Sequence, residues 1–247
     1  MHERKTVRAV ERALDILLCF LKRPSLSLTE IAEITQLNKS TVYRLLLTLE
    51  GKGFLVRDPD TEKYQLGFRI WELSVNLDSS NDPAILFLPE MERLRDQLDE
   101  TISLYVRDGY ERVRIQAVES KQAIRRVAPI GARLSLAVGA SSKVLMAFED
   151  PEIVEEVIRS PQWPKDIDPI QYRTQLKEIA QTGYAMSVEE REAGTAAIAV
   201  PIFNRNAQIV AALAVSGPVQ RMSREQMLSF LPALKRSGER LGKMLRK

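Results

Sequence analysis

The stretch Ser25-Leu26-Ser27-Leu28-Thr29-Glu30-Ile31-Ala32-Glu33-Ile34-Thr35-Gln36-Leu37-Asn38-Lys39-Ser40-Thr41-Val42-Tyr43-Arg44-Leu45-Leu46-Leu47-Thr48-Leu49-Glu50 reads as two short helices joined by a tight turn. Ser27-Leu28-Thr29-Glu30 has the capping-box form, a hydroxyl followed three positions later by Glu. It opens a helix with Ile31, Ala32 and Ile34 on one side. Gln36-Leu37-Asn38 is the turn, and Asn38 is a good N-cap for the next helix. From Lys39 to Glu50, Val42, Leu45, Leu46 and Leu49 recur at helical spacing and form one buried stripe. Ser40, Tyr43, Arg44 and Leu47 point away from it. A second helix after a short turn, with hydroxyls, an Arg and an aromatic on its outer N-terminal half, has what entry into the major groove of DNA requires.

Working outward, Gly51 and Gly53 stop that helix. Phe54 to Arg57 and Lys63 to Leu66 read as strands around the turn Asp58-Pro59-Asp60. Arg57 and Lys63 flank the tip, where they can meet phosphates. Upstream, Val7 to Leu21 is a helix with Val10, Ala13, Leu14, Leu17, Leu18 and Leu21 at helical spacing, expected to complete the small core. The order is that of a helix-turn-helix with a winged hairpin. The competing reading, a three-helix bundle with a hairpin and no nucleic acid, is weaker because few other functions need this order. Candidate DNA contacts are Lys39, Ser40, Thr41, Tyr43, Arg44, Arg57 and Lys63.

The chain has 247 residues, which favours two domains over one. Hydrophobic residues at 45% and charged residues at 28% are ordinary for a globular protein. No run of 18 apolar residues suggests a membrane span, and no signal-peptide core follows the N-terminus. No membrane partner and a cytoplasmic location are therefore expected. Cys19 is the only cysteine and His2 the only histidine, so Cys- or His-based metal sites and a Ser-His-Asp triad are excluded. No catalytic residue, metal or cofactor is expected. The net charge of +3 is weak for a DNA binder. Affinity would need two half-sites, hence a dimer.

Gly67 to Leu77 continues as an amphipathic helix, and Asp78 to Pro83 is the linker candidate. A helix from Pro83 to about Asp99 follows, with Leu86, Met91, Leu94 and Leu98 inward. The remainder alternates strands and helices. Strands are expected at Thr101–Arg107, Arg112–Glu119, Lys121–Ala128, Tyr184–Val188, Thr195–Phe203 and Ile209–Ser216. Helices are expected at Ser142–Phe148, Pro151–Arg159, Ile170–Thr182 and Ser223–Lys247. In the second strand Val113, Ile115 and Ala117 alternate with Arg114, Gln116 and Val118, as in a half-buried strand. Ile209 to Val215 is apolar throughout, so both faces of that strand are covered. Ile209, Ala211, Leu213 and Val215 point one way, and Val210, Ala212, Ala214 and Ser216 the other. Ala197 and Ala199 make a similar small-residue face on the preceding strand. Such a face admits a close-packed helix or leaves room for a ligand. Gly139-Ala140-Ser141-Ser142 precedes a helix and either caps it through Ser141 or holds an anion on its N–H groups. Arg125-Arg126 lies on a covered strand, where a buried Arg needs a partner such as an acidic ligand.

Several motifs together resemble the IclR family of bacterial transcriptional regulators, over nearly the whole chain. They are Val10-Glu11-Arg12-Ala13-Leu14-Asp15-Ile16-Leu17, Leu28-Thr29-Glu30-Ile31-Ala32, Asn38 to Leu46, Gly131-Ala132-Arg133-Leu134-Ser135-Leu136, Gly183-Tyr184-Ala185, Glu189-Glu190, Ile198 to Phe203 and Val215-Ser216-Gly217-Pro218. The resemblance implies an α+β chain with a winged helix-turn-helix DNA-binding domain over 1–75, a linker over 76–88, and a GAF-like effector-binding and oligomerisation domain over 89–247. It implies binding to double-stranded operator DNA, a small acidic or aromatic metabolite as effector, and homodimers that pair into tetramers. Effector contacts carried over by motif are Arg126, Leu134, Ala140, Ser141, Ser187, Ala197, Ala214 and Ser216. The segment from Leu136 to Lys143 lacks the His and the helix-start Gly usual in the family. Ala197 is often Cys in relatives and Ser187 can be Asp, which implies a different ligand. Two other readings compete: an enzyme fused to a DNA-binding head, for which no nucleophile–base pair is present, and a second domain that only oligomerises.

Overall fold

In the computed structural model, which describes residues 6–21, 23–75, 82–127 and 129–245, the capping box at Ser27 forms as written. The Ser27 hydroxyl accepts from the Glu30 N–H at 3.3 Å, and the Glu30 carboxylate accepts from the Ser27 N–H at 2.8 Å. It starts α2 (Leu28–Thr35), preceded by α1 (Arg8–Cys19) and followed by α3 (Lys39–Gly51). Asn38 stands at the N-cap of α3 with extended backbone, but its side chain makes no capping bond. At the other end Gly53 takes a left-handed φ of 74°. The Phe54 N–H reaches the Leu49 carbonyl at 2.9 Å and the Gly53 N–H the Glu50 carbonyl at 2.8 Å, the two bonds that close a Schellman motif. Strands β1 (Leu55–Arg57) and β2 (Tyr64–Leu66) form the wing, and Leu26 adds a bridge to Tyr64.

Ile16, Leu26, Ile31, Val42, Leu46, Leu49, Leu55 and Tyr64 make the core of this unit. Of the expected stripe of α1 only Ala13 and Leu17 pack against this core. Ile16, Cys19 and Phe20 face inward, while Val10, Leu14, Leu18 and Leu21 are exposed. The helix is apolar on two sides, so spacing alone does not select the face. Ile34 is likewise exposed, because the short α2 buries only Ile31 and Ala32. Helix α4 (Phe68–Val75) continues the chain, and Phe68 and Trp71 stack at 4.9 Å. The expected linker residues Asp78 to Asn81 lie outside the described residues.

By contacts the chain divides into two compact units, 1–79 and 80–247. In the second, Asp82 caps the short α5 (Pro83–Leu86), and α6 (Leu88–Leu98) follows. The single helix expected over this stretch is interrupted at Phe87, since Pro89 has no N–H to donate to the turn before it. Six antiparallel strands follow: β3 (Thr101–Asp108), β4 (Glu111–Val118), β5 (Arg133–Ser135), β6 (Ala185–Val188), β7 (Thr195–Phe203) and β8 (Ile209–Pro218). They form one sheet in the order β5-β4-β3-β8-β7-β6. The strand expected at Lys121–Ala128 does not form. Residues 121–127 are irregular, and Ala128 lies outside the described residues. Side chains satisfy this segment's backbone instead: Ser120 Oγ accepts from the Gln122 N–H and Thr101 Oγ1 donates to the Arg126 carbonyl. β5 takes the sheet edge in its place.

The sheet is covered on both faces. Large aliphatics such as Ile102, Leu104, Ile198, Val200, Leu213 and Val215 meet α6 and α10 (Arg224–Met244). The small residues Ala199, Ala212 and Ala214 meet α7 (Ala140–Ala147), α8 (Pro151–Arg159) and α9 (Pro169–Thr182). Ile209 and Val210 exchange the faces expected of them, because the β7–β8 pairing shifts between Ile202 and Phe203. An irregularity of that kind inserts one residue and reverses the alternation beyond it.

The two glycines at the end of α3 have opposite roles. Gly51 is helical and a Cβ there meets nothing, whereas Gly53 is left-handed. Gly51→Ala should stabilise the protein by about 0.5–1 kcal/mol. Gly53→Ala should cost at least about 1 kcal/mol. Urea titration of the two variants checks the pair of signs.

Candidate functional site

Two surfaces carry the residues singled out by the sequence. On α3, Lys39, Ser40, Tyr43, Arg44 and Leu47 are exposed and Thr41 is half-buried, while Val42, Leu46 and Leu49 hold the helix down. The buried face Val42, Leu46 and Leu49 thus sets which side of the helix is exposed. Lys39 and Arg44 form no ion pair among the described residues, so both charges are available. The wing is less free. Arg57 pairs with Glu62 at 2.9 Å and lies 5.8 Å from the Tyr64 ring centre. Lys63 is half-buried.

The second surface is a cavity of about 50 Å³ under α7. Seven of the eight residues expected at an effector site line it: Arg126, Ala140, Ser141, Ser187, Ala197, Ala214 and Ser216. Leu134 does not. It sits on the edge strand β5 and packs toward the α7–α9 cluster. Arg126 reaches the cavity from the irregular 121–127 segment rather than from a strand, and pairs with Glu192 at 2.5 Å. A larger groove of about 450 Å³ at β7 and α10 carries none of these residues.

The strongest features of the cavity were not legible in the sequence. Arg112 and Arg114 of β4 are 4% and 1% exposed, and both line it. Simple alternation puts Val113, Ile115 and Ala117 on one face together. The β3–β4 register shifts between Leu104 and Tyr105, leaving Ile115 without a cross-strand partner. Beyond that bulge Arg112 and Arg114 turn inward beneath α7. The Arg114 guanidinium donates to the Tyr105 hydroxyl, with Nε at 3.0 Å. Arg112 lies 4.8 Å from the centre of the Tyr105 ring and donates to Ser141 Oγ. Its Nε has no partner among the described residues. Burial pushes the Arg112 guanidinium below its ordinary pKa. The Tyr105 and Tyr172 hydroxyls oppose this, while Arg114 and Arg126 add to it.

The helix start also differs from expectation. α7 begins at Ala140 rather than at Ser142, with Gly139 as its N-cap at a φ of 93°. Ser141 is inside the first turn, where its hydroxyl accepts from Arg112 instead of capping. A Cβ on Gly139 would sit 3.0 Å from Arg112 Nη2, so glycine lets the guanidinium reach the helix end. The Gly139 N–H donates to Glu190 at 3.0 Å, and the same carboxylate pairs with Lys143 at 2.6 Å. The chain's own Glu190 therefore occupies the anion seat of the helix. Nearby, the Tyr172 hydroxyl donates to the Leu136 carbonyl at 2.8 Å. Among the described residues no group of His, Cys, Asp and Glu is placed to hold a metal.

Comparison with known proteins places both surfaces in one context. The family model for the IclR helix-turn-helix domain matches residues 9–59, and that for the C-terminal part of the bacterial transcriptional regulator IclR matches residues 79–242. The chain is 31% identical over 225 residues to the transcriptional regulator KipR of Bacillus subtilis, covering 89% of this chain and 90% of that one. It is 30% identical to the transcriptional repressor AllR of Klebsiella pneumoniae, covering 91% and 85%. Among solved structures, an IclR homologue from Microbacterium hydrocarbonoxydans complexed with 4-hydroxybenzoate superposes with a TM-score of 0.85 at 27% identity, covering 96% of this chain and 99% of that one. The chain therefore belongs to the IclR family of transcriptional regulators: it is a DNA-binding regulator, not an enzyme.

Proposed function

We propose that Lys39, Ser40, Thr41, Tyr43 and Arg44 of α3, with Arg57 and Lys63 of the wing, contact double-stranded operator DNA. We further propose that the cavity under α7 takes a small carboxylate as effector. The observation that carries the second reading is the convergence of seven motif-derived residues on one cavity ringed by cations. The relative that binds 4-hydroxybenzoate supports an acidic ligand. The volume of about 50 Å³ has room for roughly three to five water-sized groups. That favours a small aliphatic acid over an aromatic one. Binding changes operator affinity by favouring one arrangement of the DNA-binding heads, which requires unequal affinity for the two arrangements.

The division into a DNA-binding domain over 1–75, a linker over 76–88 and an effector domain over 89–247 is supported by the separate compact units and separate family matches. Homodimerisation is supported by the apolar stripe Val10, Leu14 and Leu18 exposed on α1 of the single chain, with Leu21 exposed just beyond it. The pairing of dimers into tetramers rests on the family resemblance alone. A cytoplasmic location is proposed from operator DNA as partner; among the described residues no helix is long and apolar enough to cross a membrane.

Arg44→Ala should weaken operator binding by about 1–3 kcal/mol if Arg44 reads a guanine. Gel shifts on operator and random DNA check it: loss confined to the operator means base reading, equal loss on both means phosphate contact, and no loss on either removes Arg44 from the interface. Deletion of residues 1–75 should leave a folded oligomer with a cooperative thermal transition, and a chain unfolded by circular dichroism contradicts the boundary. The pair Leu14→Glu and Leu18→Glu should shift sedimentation of the full chain toward smaller species, and an unchanged profile removes α1 from the interface.

A further inference from the structure

Resting on the effector reading above, we propose that Arg112 is the specificity-determining residue of that site, the group that seats the effector's carboxylate. Neither the family motifs nor strand alternation points to this residue. Three features of the molecule converge on it.

The first is unmet charge. A buried guanidinium is retained when it has a charged partner or hydrogen bonds for its five donors. Arg112 is 4% exposed, forms no ion pair among the described residues, and leaves Nε without a partner. Its contacts are a serine hydroxyl and an aromatic ring. Arg126, by contrast, already has Glu192, and Lys143 has Glu190.

The second is placement. The Arg112 guanidinium stands at the N-terminal end of α7, with Nη2 3.0 Å from where a Cβ on residue 139 would sit. A helix N-terminus carries partial positive charge. A cation set against it raises the local field further, and nothing in a purely structural role gains from that. An anion beside the two gains from both.

The third is the occupied seat. Glu190 already accepts from the Gly139 N–H at 3.0 Å, so the helix end alone is not open to a ligand. Arg112 is the nearby cation with unused capacity. The second unmet group lining the cavity is the Ser216 hydroxyl, buried and without a partner among the described residues. The ligand class is thus a small carboxylate with a further hydrogen-bonding oxygen, such as a 2-oxo or 2-hydroxy acid. A larger acid requires the 189–194 segment, which carries Glu190 and Glu192, to give way.

The test uses the full chain with acetate, pyruvate, lactate and succinate at constant ionic strength, with pyruvamide as the neutral control. Thermal unfolding and calorimetry are recorded for wild type, Arg112→Met, Arg112→Lys and Ser216→Leu. Wild type should be stabilised by at least one of the acids and not by pyruvamide. Arg112→Met should unfold at the same or a higher temperature than wild type without ligand, since it removes an uncompensated buried charge. It should bind the acid at least tenfold more weakly, with Arg112→Lys between the two. A merely structural Arg112 gives the opposite: a lower unfolding temperature on removal and unchanged preference for acid over amide. Either of those results overturns the proposal, as does a wild type that responds to none of the four acids. Ser216→Leu separates the two levels. If it abolishes acid binding while Arg112→Met leaves it intact, the cavity stands as the effector site and the anchor is wrong. If Ser216→Leu binds as wild type does, the cavity reading fails and the anchor with it.

Discussion

A sheet covered on both faces by helices, but with unequal side chains on its two sides, is the constraint on which the C-terminal unit depends. On one side large aliphatics interlock with α6 and α10 and supply most of the burial. On the other, Ala199, Ala212 and Ala214 let α7 come close. Small residues at a helix–sheet contact cannot fill all the space left at its margin. The cavity opens there, where Ala197, Ala214 and Ser216 meet the start of α7. Packing and pocket, which looked like alternatives in the sequence, are two consequences of the same small-residue face.

The charge pattern follows from this geometry. A bulge in β4 turns two arginines into the space beneath α7, and the start of that helix faces them. Repulsion is limited by carboxylates from one segment, Glu190 on Gly139 and Lys143, and Glu192 on Arg126 and Arg191. The chain thus supplies counter-charges to part of the cation cluster around the cavity. These are stabilising contacts that a ligand's carboxylate can rival, a condition for a site whose occupancy changes the balance between two arrangements.

What was legible depended on the range of the interactions. The N-terminal unit rests on local ones: the hydroxyl and Glu of the capping box, the left-handed glycine at 53, and the stripe Val42, Leu46, Leu49. Each is visible within a few residues, and the helix-turn-helix and wing follow. The burial of α1 was not legible, because Ile16 and Leu14 are equally apolar and only tertiary packing chooses between them. In the second unit the motif residues of the cavity were found, but not its two inward arginines, since a one-residue bulge reverses the alternation that a sequence reader must assume. Glu190 at the start of α7 lies 51 positions from the N–H it accepts from, a contact that no local pattern announces. The segment 121–127 has the pattern of a strand but forms none, its backbone being satisfied by side chains of Ser120 and Thr101 rather than by a ladder.

The central claim is that occupancy of the cavity and operator binding are coupled. The direct measurement is a thermodynamic square: operator affinity with and without the acid that stabilises the chain most, and affinity for that acid with and without operator. Coupling requires the two ratios to be equal and different from one, typically by about 5- to 150-fold. Equal ratios in that range are the predicted result. Ratios of one on both legs, with the acid bound, would mean that the cavity holds a ligand without regulating DNA binding, and would contradict the account.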